Sequence, residues 1–162
     1  MLDYAGQNRC ATKWLLEYPE RRLDFLDRMG EFTALSATKL TGMPMGTDVG
    51  RPVESLGLSL ARLEDTRLWI TTIEDTEKSL GEKKLAFLNV RRWVHRQQQE
   101  VGNTEKGRPG WVDESQARYA DWFYRRYGRA NCPDPKTMTR WWDEIVNVAV
   151  RIAIARGCSF QK

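Results

Sequence analysis

The stretch "DPKTMTRWWDEIVNVAVRIAIARG", residues 134–157, decides the fold class. Asp134 is placed as an N-cap, and Pro135 stands at the first helical position, where its missing amide costs no hydrogen bond. Gly157 follows Arg156 as a C-cap, since glycine alone enters the left-handed turn freely. Between these ends Met138, Trp142, Ile145, Ala149 and Ile152 recur at helical spacing, with Trp141 and Val148 widening the stripe. Lys136, Arg140, Asp143, Glu144, Asn147 and Arg151 fall on the opposite side, with Thr137 at its edge. The pattern predicts a helix that docks by its aromatic face and leaves its amino end polar and cationic.

Helical spacing also dominates upstream, and alternating strand patterns are nearly absent, so an all-α fold is expected. Asp113 reads as the cap of a segment running to Tyr127, with Gly128 as its stop and Tyr119, Trp122, Phe123 and Tyr127 on one arc. The short connection "GRANCPD", 128–134, folds the two segments back on each other. Ahead of them, Ser79 reads as the cap of a helix over 82–100, with Glu82 three residues on. That helix is expected to bury Leu85, Phe87 or Leu88, and Trp93. Leu56, Leu60, Leu63, Ile70 and Ile73 mark a long helix before it. At the amino end Leu15, Leu16 and Tyr18 close a first segment. Pro19 reads as the start of a second, striped by Phe25, Met29 and Phe32 with Leu26 beside them, and ending near Leu35. The division expected is a helical arm over 1–40, a Gly/Pro-rich linker over 41–53, a helical segment over 54–100 and a helix–turn–helix module over 101–162.

Charge is unevenly placed. Residues 1–80 hold 10 Lys+Arg against 13 Asp+Glu, whereas residues 81–162 hold 16 against 9. A cationic half joined to a mildly acidic half suggests a polyanion-binding module with a separate interaction arm. No apolar run approaches the roughly 20 residues needed to span a bilayer, and the first ten residues lack a signal-peptide pattern. A cytoplasmic protein without membrane attachment is therefore expected. The 3 cysteines, far apart and odd in number, argue against a disulfide framework or a zinc site. His95 is the 1 histidine and is read as a surface or boundary residue, because triad chemistry needs further positioned partners. No Gly-x-Gly-x-x-Gly, Walker or His-Glu-x-x-His pattern occurs, so neither cofactor nor enzymatic activity is expected.

In a helix–turn–helix unit the amino-terminal residues of the second helix reach base edges in the major groove. Lys136, Thr137, Thr139 and Arg140 are the candidate base readers, with Asn147 further along the same face. Arg118, Arg125 and Arg129, on the preceding helix and turn, are the candidate phosphate contacts. Asp143 and Glu144 oppose phosphate on that face.

"LLEYPERRLDFLDRM" with Tyr18–Pro19, Leu23 and Leu26, then the glycine-rich linker with Asp48 and Gly50, then a long helix and a terminal helical pair, resembles the ArpU/RinA family of phage-type transcriptional regulators. The resemblance covers most of the chain. It implies a carboxy-terminal module similar to region 4 of sigma factors, acting on promoters of late phage or prophage genes. The segment from Lys136 to Arg140 falls where the family has a short "S-x-R-T-V" entrance to its recognition helix. "RANCPDP", "NTEKGRPGW" and the two adjacent tryptophans depart from the family pattern. The partner implied is double-stranded DNA; the two apolar stripes of the arm suggest self-association or contact with RNA polymerase, and a dimer would suit a two-fold DNA site. A phage terminase small subunit is an alternative, although it usually places the DNA module first. A helical protein–protein interaction protein without DNA binding is another.

Overall fold

The computed structural model describes residues 3–40, 52–101 and 110–160, and the side chains of these apart from 35–40 and 52–56. The chain is all-α: five helices, α1 Tyr4–Leu40, α2 Pro52–Ser79, α3 Glu82–Val101, α4 Trp111–Tyr127 and α5 Pro135–Arg156. No strand occurs among the described residues. The expected linker lies outside them up to residue 51, as does 102–109 in the loop before α4. No described helix is long and apolar enough to cross a membrane.

α5 is the central strut and touches all four other helices. Both its ends follow from local chemistry. The Asp134 carboxylate accepts the Thr137 amide at 2.8 Å, and Gly157 turns the chain with φ 74°. Met138, Trp142, Ile145 and Ala149 are buried as their spacing requires, whereas Ile152, Val148 and Trp141 are half-buried. Val146, Val150 and Ala153 are buried too. The apolar band is thus wider than one stripe, because neighbours approach from several sides.

α1 corrects the sequence reading. It runs unbroken from Tyr4 to Leu40 with Pro19 inside it, so Pro19 starts no second helix and no end falls near Leu35. A proline in a helix interior deprives the carbonyl four residues back of its donor. That carbonyl belongs to Leu15, and the buried Arg92 of α3 donates its Nε to it at 2.7 Å. The same guanidinium pairs with Glu77 through Nη1 and lies 5.0 Å from the Tyr18 ring. The gap left by Pro19 becomes the point at which α3 grips α1. Tyr18 also donates its hydroxyl to Glu74, and burial together with that carboxylate pushes its pKa up to about 12.

The amino half of α1 belongs to the core. Ala11, Trp14, Leu15 and Leu16 are buried in one cluster with residues of α2, α3, α4 and α5. Trp14 stacks on Trp69 of α2 at 5.5 Å, and Trp69 meets Phe160 edge-on and donates to the Ser159 carbonyl. Pairing of Trp14 with Trp69 and Tyr18 with Glu74 shows that α1 and α2 run parallel. Three further expectations change. The Ser79 hydroxyl donates back to the Thr76 carbonyl instead of capping α3. α4 begins at Trp111, with Gly110 at its N-cap and Asp113 inside its first turn. Trp93 is 37% exposed, while Trp69 is fully buried.

Candidate nucleic-acid interface

The amino end of α5 emerges beside the α4–α5 connection. Lys136, Thr139 and Arg140 are exposed there, with Met138 fully buried beneath them. Asp134 fixes this end. The Thr137 amide, and then the Thr137 hydroxyl, hold its carboxyl below the usual aspartate range. Both candidate threonines are engaged locally, since Thr139 donates its hydroxyl to the Pro135 carbonyl at 3.0 Å. Lys136 and Arg140 are the exposed cations of the tip. Arg140 lies 3.9 Å from Glu144, a loose pair between exposed groups and worth little in water.

Glu144 is more tightly held by Lys84 of α3, whose hydrogen bond draws the carboxyl below its usual range. Its carboxylate is thus shared between Lys84 and Arg140. Asp143 stays exposed, as does Asn147, about three and a half turns from the cap. Arg151 donates its Nε to the Asn147 carbonyl at 3.4 Å.

The three arginines expected to hold phosphates occupy different places. Arg118 lies 3.5 Å over the Trp93 ring, and Arg125 pairs with Asp121 at 3.0 Å. Both line the groove between α3 and α4 with Trp93 and Trp122. α4 instead turns Tyr119 and Gln116 toward α5 and its approach, where Tyr119 meets Trp141 and Gln116 donates to the Pro133 carbonyl. Arg118 and Arg125 are therefore not on the side of α4 that faces the reading tip. Arg129, on the connection itself, lies 6.0 Å from the Phe123 ring. Lys83 approaches that ring at 5.7 Å from α3 and is a cation the sequence reading missed. Its signal was the pair of lysines after Glu82, which the spacing of apolar residues did not single out.

Buried arginines hold this geometry. Arg91 packs against Trp111 at 4.3 Å and Trp142 at 5.3 Å, joining the start of α4 to α5. Burial draws its guanidinium down to about 10, so it stays protonated at neutral pH. Arg126 and the Tyr127 hydroxyl both reach Glu82, joining the end of α4 to the start of α3. Arg91, Arg92, Arg126 and Lys84 are all counted in the positive balance of residues 81–162, yet each is buried or paired. The free positive charge is accordingly more local than the total implies. Compared with family models, curated proteins and solved structures, the chain matches none of them.

Proposed function

We propose that this chain is a sequence-specific DNA-binding transcriptional regulator of the phage or prophage type, reading duplex DNA with the amino end of α5. The observation that carries the reading is the contrast across that end. Lys136 and Arg140 project into solvent while Met138 and Trp142, on the same two turns, anchor the helix in the core. A helix end anchored in the core and bearing exposed cations suits the major groove, where arginine or lysine pairs with guanine. Arg129 and Lys83, both beside the Phe123 ring of α4, suit phosphates, which supply affinity and salt dependence. The resemblance to ArpU/RinA regulators supports the same assignment, with cytoplasmic location, RNA polymerase and a second copy as further proposed features. A protein-interaction role without DNA is favoured by Asp143 and Glu144 on the outer face of α5.

Selection of bound fragments from a random duplex pool, followed by mobility shift at two salt concentrations, tests the proposal. Binding should weaken steeply with salt. Arg140→Ala should lose about 1–3 kcal/mol on the selected site and little on random duplex. Arg129→Ala should weaken all duplexes alike, and Arg125→Ala should change binding less than Arg129→Ala. Salt-insensitive or undetectable duplex binding would leave the interaction role as the better reading.

A further inference from the structure

We propose that Glu144 is a positioning residue for base recognition: braced by Lys84 of α3, its carboxylate holds the Nε edge of Arg140 so that the two Nη groups fork onto a guanine. The inference deepens the proposed function and rests on it. An acid on a face that meets DNA repels phosphate unless a cation offsets it. Here the two oxygens of one carboxylate are divided between two cations. Oε2 accepts from Lys84 Nζ, and Oε1 lies 3.9 Å from Arg140 Nε. Lys84 offsets the acid's charge and ties the carboxylate to a second helix, one turn along α5 from Arg140.

Helix stability does not account for the Arg140–Glu144 pair. Four residues apart, the favourable order puts the acid first, and here the cation comes first. The other carboxylate near this arginine is already engaged. Asp134 is drawn down by the Thr137 amide first and also feels the charge of Arg140, but its Oδ1 accepts that amide and its Oδ2 the Thr137 hydroxyl. Asp143 forms no ion pair among the described residues, which leaves Glu144 to orient the guanidinium. Contact through Nε matters for what remains. A guanidinium carries five N–H donors in a planar fork, and with Nε turned to the acid, Nη1 and Nη2 are left for the O6 and N7 acceptors of guanine. In water a pair this long between exposed groups is weak. In a groove from which water is displaced the same carboxylate attracts the guanidinium more strongly, and it limits the rotamer freedom that base contact must remove.

The test compares binding of the full chain to the duplex that the wild type selects and to random duplex, at one salt concentration. Glu144→Gln should weaken the selected site about tenfold. It should bind random duplex at least as tightly as the wild type, because a negative charge has left the surface. Asp143→Asn is the control for charge alone and should tighten both. Lys84→Gln keeps the acid without its brace and should lower discrimination in the same direction as Glu144→Gln, by less. In an Arg140→Ala background, Glu144→Gln should cost the selected site nothing further. A cost that persists in that background would make the role of Glu144 structural and overturn the proposal. Equal tightening on both duplexes by Glu144→Gln would show a merely repulsive acid, with the same consequence. So would a loss of preference for cytosine instead of guanine, since Glu144 would then read a base itself. A wild-type chain that binds no duplex removes the proposed function and the positioning role together. Wild-type binding with guanine preference unchanged in Glu144→Gln overturns the positioning role alone.

Discussion

Pro19 and Pro135 look alike in the sequence, each preceding a helical pattern, yet they sit in opposite places. Pro135 is the first residue of α5, where no amide is needed. Pro19 lies inside α1, where one is missing. The difference is repaired from far away: the guanidinium that bonds the Leu15 carbonyl comes from a residue 77 positions along the chain. A proline therefore stops a helix only when nothing else can satisfy the acceptor it strands and pack the turns on either side. Burial of Trp14, Leu15 and Leu16 supplies the packing here.

The contrast breaks most completely at Trp69. Its ring is fully buried against Trp14 and holds the first half of α1 on α2. Trp69→Ala should destabilise by about 3–5 kcal/mol in denaturant unfolding. Arg92→Met comes next, since it strands both Glu77 and the Leu15 carbonyl; a loss of about 2–3 kcal/mol is expected for a charged hydrogen-bonding partner. The sharper test is a double-mutant cycle. Pro19→Ala returns an amide to Leu15 and should stabilise by about 1 kcal/mol, allowing for tertiary context. In that background Arg92→Met should cost about 1 kcal/mol less than in the wild type. Equal costs in both backgrounds would show that Arg92 does not compensate for Pro19.

On the other side of the comparison, Asp134→Ala removes a purely local cap. The melting temperature should fall by only a few degrees, with the amino end of α5 gaining hydrogen exchange while α1 does not. Acid should act in the same modest way. Asp75, Glu82 and Glu144 join separate helices through Arg156, Arg126 and Lys84, and hydrogen bonds from these cations hold each carboxyl below its ordinary range. A depressed carboxyl contributes stability that is present above its unfolded value and is lost as pH falls through its folded one. The melting temperature should thus hold above pH 4.5, the ordinary glutamate value, and decline below it. A decline beginning near neutrality would point to another group.

Some of the candidate interface was legible in the same local way. Asp134, Pro135 and Gly157 bound α5 through contacts reaching only a few residues, and the spacing of Met138, Trp142, Ile145 and Ala149 told which side of the tip faces out. The positions of the arginines were not legible. Arg91 and Arg92 read as part of a basic helix but are buried, and Arg118 is held by Trp93 across the α3–α4 groove. Nothing in the spacing of one helix reports which neighbour will lie over an arginine. The tryptophans divide too: Trp69 is fully buried, whereas Trp93, expected among the buried residues of α3, is 37% exposed.

The amino-acid order alone determined that this chain is helical, where its last helix begins and ends, and that the amino end of that helix is cationic. Those properties depend on backbone donors and acceptors, and on side-chain spacing, within a turn or two. Tertiary structure decided that α1 continues through Pro19, that α5 is enclosed by four neighbours, and that Arg118 and Arg125 face away from the tip. Each of those outcomes depends on a partner from another helix, whose approach is fixed only when the shared core closes.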